Sequence, residues 1–138
     1  MTDMPPVPPT ILAEVPAVPE AVCSLRRAAG ELAERCGADE QLVEDITLAV
    51  SEAATNAVIH AYRDDAGRLA LAAESENGAL WFRVIDEGGG LTPRADSPGL
   101  GLGLPLIAKL TARFEVRPGP EGRGTELAMA FRVPPGRT

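Results

Sequence analysis

Aromatic residues are scarce in this sequence: one tryptophan, one tyrosine and three phenylalanines among 138 residues. A core must therefore be filled mainly by Ala, Val, Leu and Ile. Cysteine is as sparse, and the two present, Cys23 and Cys36, show no metal-type spacing. Both fall in one predicted helix, roughly 20 Å apart along its axis, so they cannot bridge each other. Buried free thiols in a cytoplasmic setting are the expectation. No apolar run approaches the roughly 20 residues of a membrane span. The opening MTDMPPVPPT has neither the basic nor the apolar region of a secretory signal. Long basic runs are missing too, and the formal net charge is −7. That balance argues against nucleic acid or an anionic membrane as the main partner. It does not exclude a phosphate pocket, which needs only local positive potential.

What is present suits one domain with one core. Residues 1–9 are proline-rich and expected to form a flexible tail, with a single domain over 10–134. TILAEV (10–15) predicts a short strand, and a helix follows from Pro19 to about Arg35. Gly37 stops that helix and Asp39 caps the next, which runs over about 39–62. RLALAAES and ALWFRVID read as two strands joined by an Asn77-Gly78 hairpin turn. EGGGLTPRADSPGLGLG is too rich in glycine and proline for regular structure. A helix from near Pro105, the strand FEVRP, the turn PEGRG and the strand TELAMAFRV complete the chain. Paired strands in this order predict an α+β two-layer sandwich. Its largely antiparallel sheet of four or five strands packs against three helices.

Within the long helix, Ile46 to Ala61 carries one formally charged residue, Glu52. A helix uncharged nearly all round is expected to be buried. At about 100° per residue, Glu52, Asn56 and His60 form one slowly drifting row. A carboxylate on such a helix needs a polar counterpart. Two readings are compatible with the row: Glu52 and Asn56 bridge neighbouring segments, or they face water, a metal ion or a ligand.

Three further segments bear on that choice. In VIDEGGG, Asp86 closes an apolar strand, and Gly88 and Gly90 follow at alternate positions. A fixed carboxylate there can accept a hydrogen bond from an exocyclic amino group, beside backbone that a ligand can approach closely. A plain strand-ending turn has the same composition. In PGLGLGLPLI, Gly99, Gly101 and Gly103 alternate with leucines just before a helix, where free amides and the helix dipole favour phosphate. The segment is neither a Walker loop nor a dinucleotide fingerprint. In GRGTEL, Gly124 and Thr125 open the last strand, placing the Thr125 hydroxyl near Asp86 if the two strands are close.

Together and in this order the segments resemble the GHKL ATPase superfamily, across about residues 10–133. Glu52-x-x-x-Asn56 is similar to its N box and Asp86-x-Gly88-x-Gly90 to its G1 box. Gly101-x-Gly103 is similar to its G2 box, and Gly124-Thr125 to its last box. SEAATNAVIHAY in particular resembles the bacterial anti-sigma-factor serine/threonine kinases.

The resemblance implies an ATP–Mg2+ site between helices and sheet. Asp86, helped by Thr125, would receive the adenine amino group. Asn56 would hold Mg2+, and the glycines from Gly99 to Gly103 would line the phosphates. Glu52 would be the general base for an attacking hydroxyl on a STAS-type anti-anti-sigma partner, with a sigma factor as the second partner. The alternative is a catalytically silent nucleotide-binding module that sequesters a sigma factor or other regulator. The helix at 19–35 is a candidate partner or homodimer surface. The segment between Gly90 and Gly99 is short for a lid over ATP, and Arg94 and Lys109 are the nearest cations without an assigned role. His60 is read as a packing residue.

Overall fold

The computed structural model describes residues 6–60, 67–87 and 104–134. The elements are β1 (Thr10–Pro16), α1 (Val22–Arg35), α2 (Glu40–His60), β2 (Arg68–Glu76), β3 (Ala79–Asp86), α3 (Leu104–Leu110), β4 (Arg113–Pro118) and β5 (Thr125–Arg132). One 3-10 turn at Pro19–Ala21 leads into α1, and another at Pro120–Gly122 joins β4 to β5. The five strands form one sheet in the order β1-β2-β3-β5-β4, with every neighbouring pair antiparallel. This is the α+β two-layer arrangement expected from the strand order, with five strands of the four or five expected.

The sheet is built by alternation. Along β3, Leu80, Phe82, Val84 and Asp86 are buried, and Trp81, Arg83 and Ile85 are not. A period of two sends the first set to one face, where α1 and α2 cover it. The hairpin before β3 turns on Asn77 and Gly78, with φ of 51° and 79°. Both values are positive, as a two-residue turn matched to the strand twist requires. Leu71, Leu127 and Met129 complete the inner face from β2 and β5. Phe82 and Phe131 meet edge-on at 6.2 Å, so two of the three phenylalanines sit at the centre of the aliphatic core.

The uncovered face carries charge in pairs. Arg83 bridges Glu74 on β2 and Glu126 on β5, and Arg117 reaches Glu126 at 2.8 Å. Such pairs contribute roughly 0.2–1 kcal/mol each. Their larger effect is register, because a one-residue slip would carry charge into the core.

The helices pack through small residues. Gly30 on α1 lies against Thr47 and Val43 of α2; an added Cβ would stand 3.1 Å from the Thr47 methyl. On α2, Ile46, Ala49, Val50, Ala53, Ala54 and Ala57 are buried. Asp39 caps α2, its Oδ1 accepting from the Leu42 amide at 2.8 Å. Two expectations are corrected. The helix is not buried all round: Leu48 is 42% and Ile59 56% exposed, because among the described residues α1, α3 and the sheet leave one side of α2 open. The thiols also differ from each other. Cys36 closes α1 in the core, where burial pushes its thiol up, whereas Cys23 lies on the outer side of α1 near Arg26. Ahead of β1, the Val7 amide donates to the Ser75 hydroxyl and the Ser75 amide to the Val7 carbonyl.

Phe82 is fully buried and touches the other core ring. Phe82→Ala is expected to cost about 3–5 kcal/mol, read as a lower midpoint in urea unfolding. A cost under about 1 kcal/mol would show that the two rings do not anchor the core.

Candidate functional site

The candidate site is built on the C-terminal half of α2 and the paired ends of β3 and β5. A run of alanines lets α2 sit close to the sheet, and the helix contacts β3, β5 and α3. Asn56, the buried polar residue on that half of the helix, thus stands at the boundary between layers rather than in bulk water.

Asn56 is 6% exposed, and its Nδ2 is buried with no hydrogen-bond partner among the described residues. An unsatisfied amide in a native interior costs about 1–3 kcal/mol, so its retention asks for an explanation. Glu52, one turn earlier, is half-buried, and no ion pair to it occurs among the described residues. The alternative in which these two side chains bridge protein segments therefore finds no support for Asn56 Nδ2. The neighbouring Ser51 hydroxyl is also buried without a partner. It escaped sequence reading because a serine between Val50 and Glu52 has no distinguishing pattern.

Asp86 and Thr125 are opposed in the β3–β5 register, 1% and 4% exposed, and both have partners within the protein. The strands are close, as the Thr125 expectation required. Gly124 fixes that junction. It has a φ of +66°, and a Cβ there would collide with the backbone carbonyl of Asp86 and crowd the Cα of Glu87. Glycine is thus required twice over, by backbone conformation and by the approach of the next strand. A buried carboxylate is held at a strand end by this junction, on the sheet that α2 covers.

Gly88, Gly90, Gly99, Gly101 and Gly103 lie outside the described residues, as does Arg94. His60 ends α2, but its side chain is not among those described. Lys109 sits on the exposed side of α3. Among the described residues no three His, Cys, Asp or Glu side chains converge to form a metal cage. The donors present, an amide oxygen beside a carboxylate, fit a hard cation that keeps waters and takes its other ligands from a phosphate. The unpartnered Asn56 Nδ2 is a donor that asks for an acceptor, as a phosphate oxygen beside such a cation would be, with the amide oxygen on the same side chain left to face the ion. No described helix is long and apolar enough to cross a membrane.

Comparison with known proteins gives consistent results. The family described as the histidine kinase-like ATPase domain matches residues 15–131. The anti-sigma F factor of Clostridium acetobutylicum is 32% identical over 98 residues, covering 63% of this chain and 68% of that protein. The serine-protein kinase RsbW of Halalkalibacterium halodurans is 34% identical over 137 residues, covering 88% and 82% of the two chains. Among solved structures, a chain holding the RsbU and RsbW domains of a Mycobacterium tuberculosis protein superposes with a TM-score of 0.70 at 27% identity. The match covers 94% of this chain and 34% of that one, so this chain spans about a third of its length.

The β3–β5 junction is directly testable. Gly78 has a φ of +79° with nothing within 4 Å of an added Cβ, so Gly78→Ala meets only backbone strain, about 1–2 kcal/mol. Gly124→Ala meets the same strain plus the collision with Asp86. Thermal melts are expected to rank Gly124→Ala clearly below Gly78→Ala. Faster amide exchange at Ile85 and Glu126 should accompany the loss. Equal melting temperatures would contradict the close approach.

Proposed function

The chain belongs to the histidine kinase-like ATPase domain family, and from that premise we propose that it is an ATP-binding anti-sigma factor and serine/threonine protein kinase. Its acceptor is a STAS-type anti-anti-sigma protein, its second partner a sigma factor, and its setting the cytoplasm. The ATP-binding unit spans residues 10–134. The observation that carries the reading is the buried, unpartnered amide of Asn56, one turn from the half-buried Glu52 carboxylate. Similarity to an anti-sigma F factor and to serine-protein kinases named RsbW supports the class of activity.

In this reading Asp86 accepts a hydrogen bond from the adenine amino group, and Thr125, opposite it in the register, completes the contact. A carboxylate at that place selects a donor, which adenine presents and guanine's carbonyl does not. Gly124 keeps side-chain bulk away from the base, while Gly88, Gly90, Gly99, Gly101 and Gly103 lie along the nucleotide. Asn56 holds Mg2+ through its side-chain oxygen. When bound, that ion neutralises charge on the phosphates and orients them. Glu52 takes the proton from the partner's serine or threonine hydroxyl. The hydroxyl oxygen forms a bond to the γ-phosphorus as the bond to the β–γ bridging oxygen breaks, and ADP leaves with that electron pair.

A silent module that binds nucleotide and a sigma factor without transfer is separated from this reading by Glu52. Glu52→Ala is expected to leave ATP affinity within about threefold and to lower partner labelling from γ-labelled ATP by about two to four orders of magnitude. Absence of labelling by the unmodified protein with its STAS-type partner would favour the silent module.

Asp86→Asn replaces an acceptor by a group that also donates. Nucleotide affinity, followed with a fluorescent ATP analogue, is expected to fall by about tenfold to a hundredfold. Undiminished binding by a folded variant would overturn the adenine assignment.

A further inference from the structure

Four large apolar side chains are exposed among the described residues: Ile11, Val18, Leu48 and Ile59. Scattered single exposures of this kind need no explanation. Leu48 and Ile59 are different, because they belong to one helix and one stripe. Positions 48, 52, 55 and 59 of α2 follow the four-three-four spacing that places residues on a single helix face. The stripe therefore reads Leu48, Glu52, Thr55, Ile59, with both ends exposed and the two middle residues half-buried. By helix rise, Leu48 lies about 6 Å from Glu52 along the axis and Ile59 about 10 Å in the opposite direction. A carboxylate without an ion pair among the described residues is thus bracketed by two apolar contact points.

An occupant that satisfies all three points carries a hydrogen-bond donor between apolar groups. A second copy of this chain fits poorly. Two-fold pairing through the stripe would bring two Glu52 carboxylates together, and the chain already carries a net charge of −7. Resting on the kinase reading above, the geometry points to Leu48 and Ile59 as the specificity contacts for the acceptor protein. They seat apolar side chains that flank its reactive hydroxyl on both sides and so hold that hydroxyl over Glu52. Asn56 and Asp86 bind nucleotide, whereas Leu48 and Ile59 bind the protein substrate. The two functions divide along one helix.

The test uses the full chain and the STAS-type protein that it labels with γ-labelled ATP and Mg2+. Leu48→Glu with Ile59→Glu, and separately Leu48→Ser with Ile59→Ser, are compared with Leu48→Met with Ile59→Val. Nucleotide affinity and melting temperature are recorded for each. The expected result is a KM for the STAS-type protein raised at least about tenfold in the Glu and Ser pairs, with ATP affinity within about twofold. The Met/Val pair should retain the original KM. Replacing apolar neighbours of the labelled residue on the partner by serine should raise KM in the same way. An unchanged KM in both polar pairs overturns the inference and leaves the kinase reading intact. A lower melting temperature or a dissociated oligomer with unchanged KM also overturns it, showing that the stripe is covered by this chain or a second copy. No labelling by the unmodified protein overturns the kinase reading, and this inference falls with it.

Discussion

An amide nitrogen with nothing to bond is the constraint on which the candidate site depends. Asn56 is buried, and its Nδ2 finds no acceptor among the described residues. An apolar residue of similar size would avoid that cost and pack as well. The helix instead keeps two polar side chains a turn apart, one buried and one half-buried, where the layers meet. The small residues around them are the other half of the same arrangement. Ala49, Ala53 and Ala57 bring α2 down onto the sheet, so that Asn56 lies at the boundary where the sheet is covered.

The sheet supplies the opposing wall by a division of labour between its faces. Charges are paired off on the open side, where Arg83 and Arg117 share Glu126. The covered side holds apolar residues until the end of β3, where Asp86 is the one buried exception on that strand. Its position is enforced by the strand beside it. With Gly124 pressed against the Asp86 carbonyl and Thr125 opposite, the end of β3 has little freedom to move the carboxylate. Both walls are thus rigid secondary structure, which positions functional groups better than loops do.

Much of this was legible in residue order. Alternation in ALWFRVID, the Asn77-Gly78 turn and the Asp39 cap each follow from local rules, and the strands and helices fall where those rules put them. The pairing of Asp86 with Thr125 was legible only as a condition, because it depends on β5 leaving the edge of the sheet to β4 and inserting beside β3. Local composition carries no information about that order. The exposure of Leu48 and Ile59 was not legible at all. A helix lacking charge reads as buried, and only the tertiary arrangement shows that the helices and the sheet leave one side of α2 open. Cys23 was misjudged for the same reason: a small apolar residue at a helix start says nothing about which way it faces.

The open side of α2 also bears on how a general base can choose its substrate. Glu52 is half-buried, so water reaches it, and water carries the same O–H group as a serine. A base that merely accepts protons would favour hydrolysis, since water is far more concentrated than any partner. Transfer to a protein must instead come from positioning, which gives a held hydroxyl an effective concentration that free water cannot match. Positioning requires contacts outside the proton-accepting atom itself. On this helix the candidates within reach are Leu48 and Ile59, and they are apolar, so they offer nothing to water and something to a side chain. An exposed apolar stripe beside the proposed base is then no defect of packing. It is the feature by which a base open to solvent would favour a partner protein over the solvent.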